Sequence, residues 1–113
     1  MTRHTLTLLT IASLSAAAGQ LLFKIGAKNK VDLAGFVNLP IAAGIIFYAV
    51  GTALWIYTLS FEKLVNVYAF TALTFAMVYL GGVIILGERL STTAIIGVLT
   101  VLVGLYLIVN ARA

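Results

Sequence analysis

The chain has 113 residues, of which 63% are hydrophobic and 9% are charged, and its net charge at pH 7 is +4. Its mean hydropathy of +1.18 excludes an ordinary soluble domain, and its positive charge suits loops beside anionic lipid headgroups without any nucleic acid. It contains no cysteine and one histidine, which excludes disulfides, haem thiolates and iron–sulfur ligation and leaves a histidine-based metal site without a partner.

Four long apolar stretches follow one another along the chain. Each is close to the roughly 20 residues that a helix needs to cross a bilayer core of about 30 Å. They are Leu6–Ile25, Val37–Leu59, Val65–Leu86 and Thr92–Val109. The last three contain no Asp, Glu, Lys or Arg, and the first contains only Lys24. The sequence therefore predicts an all-α, polytopic membrane protein with four transmembrane helices in a single domain over residues 1–113.

The first predicted span carries a polar stripe. At about 100° per residue, one quarter of the helix surface holds Thr10, Ser13, Ala17, Gln20 and Lys24. An unpaired glutamine or lysine in hydrocarbon costs a few kcal/mol, so we expect the stripe to face the bundle interior or a water-filled cavity. The alternatives are a structural interhelical hydrogen bond for Gln20 and snorkelling of Lys24 to the headgroups.

The second and third predicted spans each place aromatic and hydroxyl side chains on one face. The second carries Tyr48, Thr52 and Trp55, and the third carries Tyr68, Thr71, Phe75 and Tyr79. Tyr48 lies too deep for the aromatic belt at the membrane surface, whereas Trp55 and Tyr57 suit that belt. The aromatic and hydroxyl side chains on this face of the third span indicate either helix packing or a ligand-binding surface.

The fourth predicted span differs from the others because it offers no polar path. Gly97 and Gly104 lie seven residues apart among Ile, Leu and Val. Such a glycine groove lets another helix approach closely, within the subunit or across a subunit boundary. We predict that these two glycines form a dimer interface.

Lysine and arginine are nearly balanced between the two membrane surfaces. One surface has Arg3, Lys63 and Arg112, and the other has Lys28, Lys30 and Arg89, with Lys24 if it snorkels. Orientation depends on an excess of positive charge on one side. The balance predicts either insertion in both orientations, as in an antiparallel dimer, or an orientation that a partner subunit fixes.

No acidic side chain lies within a predicted span, since Asp32, Glu62 and Glu88 all fall in the links. A proton-coupled transporter usually needs an intramembrane carboxylate whose pKa is raised by desolvation. The chain also lacks a phosphate-cradling glycine loop, a nucleophile elbow and a Ser/His/Asp set. We therefore expect that it is not an enzyme and that it uses no metal or other cofactor.

Several motifs lie in collinear order over nearly the whole chain. They are Ser13–Lys24 followed by Gly26-Ala27, then Val67-Tyr68-Ala69, Leu86–Leu90 (LGERL), Ile95-Ile96-Gly97 and Gly104. Together they resemble the small four-helix proteins of the drug/metabolite transporter superfamily (EamA-like). One branch, the small multidrug resistance family, carries a membrane glutamate eight residues before the lysine that matches Lys24. Ala16 stands at that position here, and the tryptophan of the same branch falls on Thr71.

The second branch comprises subunits that resemble flippases of aminoarabinose-phosphoundecaprenol. They lack the membrane glutamate and carry Ala-Gly-Gln followed by a lysine, as residues 18–20 and Lys24 do here. Their tyrosine in the third helix is typically followed by proline, where this chain has Ala69. Because it lacks the membrane glutamate and has the Ala-Gly-Gln and lysine pattern, the chain resembles this second branch more closely than the small multidrug resistance family.

The resemblance implies a multi-pass protein of the bacterial inner membrane that moves a polyprenyl-phosphate-linked sugar or similar amphiphile between leaflets. We expect a dimer with itself or with a sister four-helix subunit. Lys24 would pair with the phosphate, and the other predicted substrate-binding residues are Gln20, Ser13, Tyr68, Tyr48 and Thr71. The alternatives are an exporter of small cations or metabolites that takes its glutamate from a partner, and a structural subunit that transports nothing.

Overall fold

The computed structural model describes residues 2–111. It contains α1 (Arg3–Ala27), α2 (Leu39–Leu59), α3 (Leu64–Tyr68), α4 (Thr71–Ile84) and α5 (Thr92–Asn110), with a 3₁₀ turn at Ala34–Phe36. Four segments are long and apolar enough to cross a membrane, and α3 and α4 together form the third of them. The prediction of an all-α protein with four transmembrane helices is confirmed. Arg112, assigned above to one membrane surface, lies outside the described residues.

Three of the spanning helices begin at a polar cap. The side chains of Thr2, Asn38 and Ser91 each accept a hydrogen bond from the backbone N–H three residues further on. These bonds satisfy amide groups that the first turn of a helix leaves unpaired. Pro40 lies in the first turn of α2, where its missing N–H is harmless. The starts of these helices therefore follow from local sequence.

The third span is interrupted, although its sequence contains no proline and predicts a continuous helix. Between α3 and α4 the backbone hydrogen bonds tighten, with the Phe70 N–H bonding the Val67 carbonyl at 3.0 Å. Hydroxyl groups bond the carbonyls at this point. Thr71 donates to the Tyr68 carbonyl at 2.8 Å, and Ser13 of α1 donates to the Phe70 carbonyl at 3.3 Å. These side-chain bonds offer the carbonyls partners outside the helical ladder.

The backbones of α1 and α2 touch through glycines. A Cβ atom on Gly19 would lie 2.9 Å from the Gly44 carbonyl oxygen, and one on Gly51 would lie 2.8 Å from the Ala12 carbonyl oxygen. Both distances are shorter than real Cβ contacts, so only glycine fits at these two positions. Close approach of small residues is a common means of helix association in lipid, and it makes α1 and α2 the most extensive helix pair of the subunit.

A small core lies near the end of the bundle that holds the start of α1. Its buried members are Leu9, Val67, Phe70 and Leu105. At the same end the ring of His4 stacks on Phe61 with the centroids 6.0 Å apart. The helix α5 packs mainly along α4 and leaves most of its surface facing outward. The space between α1, α2 and the third span is therefore not covered by α5.

The link between α2 and α3 contains Glu62, whose pKa is lowered mainly by a hydrogen bond from the Asn66 amide at 3.0 Å. The ionised carboxylate should therefore stabilise the link above its ordinary pKa, and this contribution should be lost as the pH falls through the lowered value. We expect Asn66→Ala to raise the pKa of Glu62 towards its usual range. A carbon-13 NMR titration of the carboxyl group in detergent measures the change. An unaltered midpoint would show that the amide is not the cause.

Candidate functional site

A cavity of about 300 Å³ lies between α1, α2 and the third span. We call it the groove. Its lining is mostly apolar, and its polar side chains are Ser13, Gln20, Tyr48, Thr52, Trp55, Thr71, Thr74 and Tyr79. Since α2 and α4 have few contacts with each other, the groove is open on that side. A mostly apolar cavity with a few convergent polar groups is the usual form of a small-molecule site.

The structure brings together four of the six residues that the sequence assigned to a substrate site. Ser13, Gln20, Tyr48 and Thr71 all line the groove. Tyr68 does not line it; its side chain is 61% exposed, and its ring centroid lies 6.1 Å from that of Trp55. Of the polar stripe of the first span, Ser13 and Gln20 line the groove, whereas Thr10 and Ala17 do not.

Three of the groove hydroxyls are already engaged as hydrogen-bond donors, those of Ser13, Thr71 and Thr74, and the first two belong to predicted site residues. Ser13 is buried and donates to the Phe70 carbonyl, while Thr71 donates to the Tyr68 carbonyl. A hydroxyl oxygen that donates its proton keeps lone pairs with which it can accept. Both side chains therefore shape the wall of the groove and present acceptor oxygens to it.

Trp55, whose place in the sequence suits a belt at the membrane surface, lines the groove. Its Nε1 atom is buried and has no hydrogen-bond partner among the described residues. The indole N–H can only donate, and a buried donor without an acceptor costs about 1–3 kcal/mol. The spacing of Tyr48, Thr52 and Trp55 along one helical face was the sequence signal for this position. The wall of the groove thus contains one donor without a partner among the described residues, and an acceptor oxygen of a ligand would reach it only if neighbouring atoms moved aside.

A second cavity of about 680 Å³ adjoins the groove at the membrane surface opposite the N-terminus. We call it the vestibule. It contains Lys24, Glu88 and Arg89, and it shares Gln20 and Tyr79 with the groove. The two cavities therefore lie side by side, the vestibule beside charged side chains and the groove in the apolar interior. Lys24 lies in the vestibule with Gln20, and the other predicted substrate-binding residues do not line that cavity.

Glu88 and Arg89 were not among the residues assigned to a site from the sequence, which placed them only in a link. Gly87 has a φ of 71°, a conformation that favours glycine, and it reverses the chain after α4. The backbone N–H of Glu88 then bonds the Gly82 carbonyl at 3.0 Å, and its side chain lies over that glycine. This turn brings the link into the wall of the vestibule. The LGERL motif was the only sequence signal for it.

The vestibule holds two cationic side chains and one carboxylate, so its charge favours an anionic group. An arginine fork and a compact lysine ammonium are the usual partners of phosphate in proteins. Among residues 2–111, no group of three or more His, Cys, Asp or Glu side chains could hold a metal ion. The geometry suits a ligand with an anionic part at the surface and a polar part that enters the groove.

No protein-family model, curated protein or solved structure matches the chain. The comparisons give no family assignment. The chain is a multi-pass membrane protein by the length and hydropathy of its four spans.

Gly97 and Gly104 lie on the outward-facing helix α5, and a Cβ atom at either position would meet nothing within 4 Å. We expect Gly97→Leu to weaken dimerisation while the subunit keeps its fold. The added side chain would occupy the surface of α5 on which a helix of a second subunit packs. Mass measurement in detergent at several protein concentrations tests this. An undiminished dimer would mean that α5 faces lipid.

Proposed function

We propose that the chain is a transporter that moves a polyprenyl-phosphate-linked sugar, or a similar amphiphile, between the leaflets of the bacterial inner membrane. The observation that carries the proposal is the position of the vestibule, which holds Lys24, directly beside a groove lined by polar side chains, with Gln20 in the lining of both. The resemblance of residues 13–24 and of the LGERL motif to flippase subunits agrees with this function.

A lipid-linked cargo can leave its tail in the bilayer while its head passes through the protein. The open side of the groove, between α2 and α4, supports such a path because the tail need not enter the protein. Lys24 and Arg89 would attract the phosphate, and Gln20 lies where the vestibule meets the groove. A cargo held by its phosphate does not require an intramembrane carboxylate.

The groove volume of about 300 Å³ lies at the small end of the range for ligand sites. It suits one sugar ring rather than a long chain. Hydroxyl groups on such a ring could donate to the oxygens of Ser13 and Thr71, and they could accept from the Trp55 indole once the indole ring turns its N–H towards the groove. Pairing the indole N–H would remove the penalty of its burial, which favours binding of an oxygen-bearing head over a purely apolar molecule.

A leaflet-accessibility assay tests the proposal directly. The protein is reconstituted in vesicles that carry a fluorescent polyprenyl-phosphate sugar, and a quencher outside the vesicles reports the fraction that reaches the outer leaflet. We expect the protein to accelerate this exchange relative to protein-free vesicles. The same vesicles loaded with small organic cations serve as the comparison. Cation movement without lipid exchange would contradict the proposal.

A second candidate is an exporter of small cations or metabolites. It is favoured by Glu88, whose carboxylate lies in the wall of the vestibule and could attract a cation. This function predicts transport that depends on pH and is lost in Glu88→Gln. Lipid exchange that persists in Glu88→Gln would separate the two candidates in favour of the first.

The Trp55 donor provides a test inside the groove. We expect Trp55→Phe to slow transport of a sugar-bearing lipid by about two- to tenfold, because a hydrogen bond contributes about 0.5–1.5 kcal/mol. The variant loses a buried donor that has no partner in the subunit. The leaflet assay measures the rate. Tyr106→Phe, which removes a hydroxyl from an exposed position on α5, is the control, and equal rates in both variants would contradict the role of Trp55.

A further inference from the structure

The link between α1 and α2 exposes a run of large aliphatic side chains. They are Val31, Leu33, Val37 and Leu39, which are 97%, 88%, 87% and 81% exposed. Single exposed aliphatic residues are normal on protein surfaces, but four within nine residues form a concentrated apolar segment. Lys28 and Lys30 precede them, and both are exposed. We call residues 28–39 the link segment.

The link segment is folded into hydrogen-bonded turns rather than extended. The backbone N–H of Gly35 bonds the Asp32 side chain at 2.9 Å. The Asn38 amide donates to the carbonyls of Gly26 at 2.9 Å and Gly35 at 3.0 Å. The one carboxylate of the segment is therefore engaged within a turn. Pairing of backbone groups inside a segment lowers the cost of placing it in the apolar part of the membrane interface.

The position of the link segment is fixed relative to the bilayer. It connects the end of α1 to the start of α2, both of which span the membrane, so it lies at a membrane surface. Asn38 ties the segment to Gly26 in the last turn of α1, which holds it near that surface. Its exposed aliphatic side chains therefore lie beside headgroups and the upper parts of acyl chains.

We propose that the link segment is an interfacial anchor that binds anionic phospholipid. Leu33 and its aliphatic neighbours insert among the acyl chains, and Lys28 and Lys30 bind the phosphate groups above them. Two lysines against one engaged carboxylate leave the segment positive, which complements an anionic membrane surface. Apolar side chains flanked by lysines are typical of segments that bind at the membrane interface.

Because the chain has no cysteine, a spin label on Leu33→Cys is the only label on the protein. The labelled protein is reconstituted in vesicles of phosphatidylcholine alone or with phosphatidylglycerol, and label depth is measured by accessibility to oxygen and to a water-soluble nickel chelate. We expect a label about 5–10 Å below the headgroup boundary in the anionic vesicles. We expect a shallower label in neutral vesicles and in Lys28→Gln/Lys30→Gln at either composition.

Three results would overturn the proposal. A label that lies in water in anionic vesicles would show that the segment does not insert. A label shielded from both oxygen and the chelate would show that a protein surface covers it. A buried label whose depth is the same in neutral and anionic vesicles, and the same with and without the two lysines, would exclude anionic phospholipid as the bound partner. Substituting Leu33 itself should not disturb folding, because its side chain is 88% exposed.

Discussion

Replacing Gly51 with valine is expected to separate α2 from α1 and to lower the free energy of unfolding by about 1–3 kcal/mol. The new Cβ atom would lie 2.8 Å from the Ala12 carbonyl oxygen and 3.2 Å from the Ala16 amide nitrogen. Both neighbours are backbone atoms, so no rotamer change can relieve the contact, and the helices must move apart. Because these helices also form two walls of the groove, we expect transport to fall together with stability.

Ala53→Val is the matched control for this prediction. It places the same side chain on the same helix at an exposed position, so it tests the effect of valine without the close contact. Unfolding of each variant in mixed micelles by increasing fractions of denaturing detergent gives the free energies. Equal stabilities of Gly51→Val and Ala53→Val would show that the two helix backbones are not in contact at this point.

Replacing Lys24 with alanine is expected to lower transport of a phosphate-linked cargo by about ten- to a hundredfold. A hydrogen bond to a charged group contributes about 1.5–3 kcal/mol, and Lys24 lies in the vestibule where such a cargo would enter. Lys24→Arg should keep a measurable part of the activity because it preserves the charge. The leaflet assay with a fluorescent polyprenyl-phosphate sugar measures all three proteins.

Lys63→Ala is the control for Lys24→Ala, since Lys63 is an exposed lysine near the opposite membrane surface. Expression and elution in detergent must match the parent chain in each variant, so that lost activity is not lost protein. If Lys24→Ala transports every lipid-linked cargo at the parent rate, Lys24 does not bind phosphate and is a snorkelling anchor. The cation-export function predicts this same indifference to Lys24.

The spans and the polar stripe were predictable because each depends on regular local properties. Span length follows from hydropathy, and the common orientation of Ser13 and Gln20 follows from helical periodicity. The sequence favoured a membrane belt for Trp55, because an aromatic residue near the end of an apolar stretch usually lies at the membrane surface. The packing of α2 against α1 directs the Trp55 side chain towards the groove.

Two parts of the candidate site required three-dimensional information. Glu88 and Arg89 reach the vestibule because Gly87 reverses the chain, and a glycine in a link does not reveal the direction of the turn. The interruption before Thr71 depends in part on a hydrogen bond from Ser13 to the Phe70 carbonyl, and these two residues lie 57 positions apart in the chain. The periodicity of residues within one segment carries no information about hydrogen bonds to residues far away in the sequence.

The interruption of the third span also has a mechanical consequence. Val67 and Phe70 belong to the core and also line one end of the groove, and the residues of α4 beyond them form one of its walls. A continuous helix would pass any tilt of that wall into the core, but a helix with tightened turns and diverted hydrogen bonds bends more readily at that point. We therefore expect α4 to tilt about residues 68–71, which would change the width of the groove beyond Phe70 while the core stays packed.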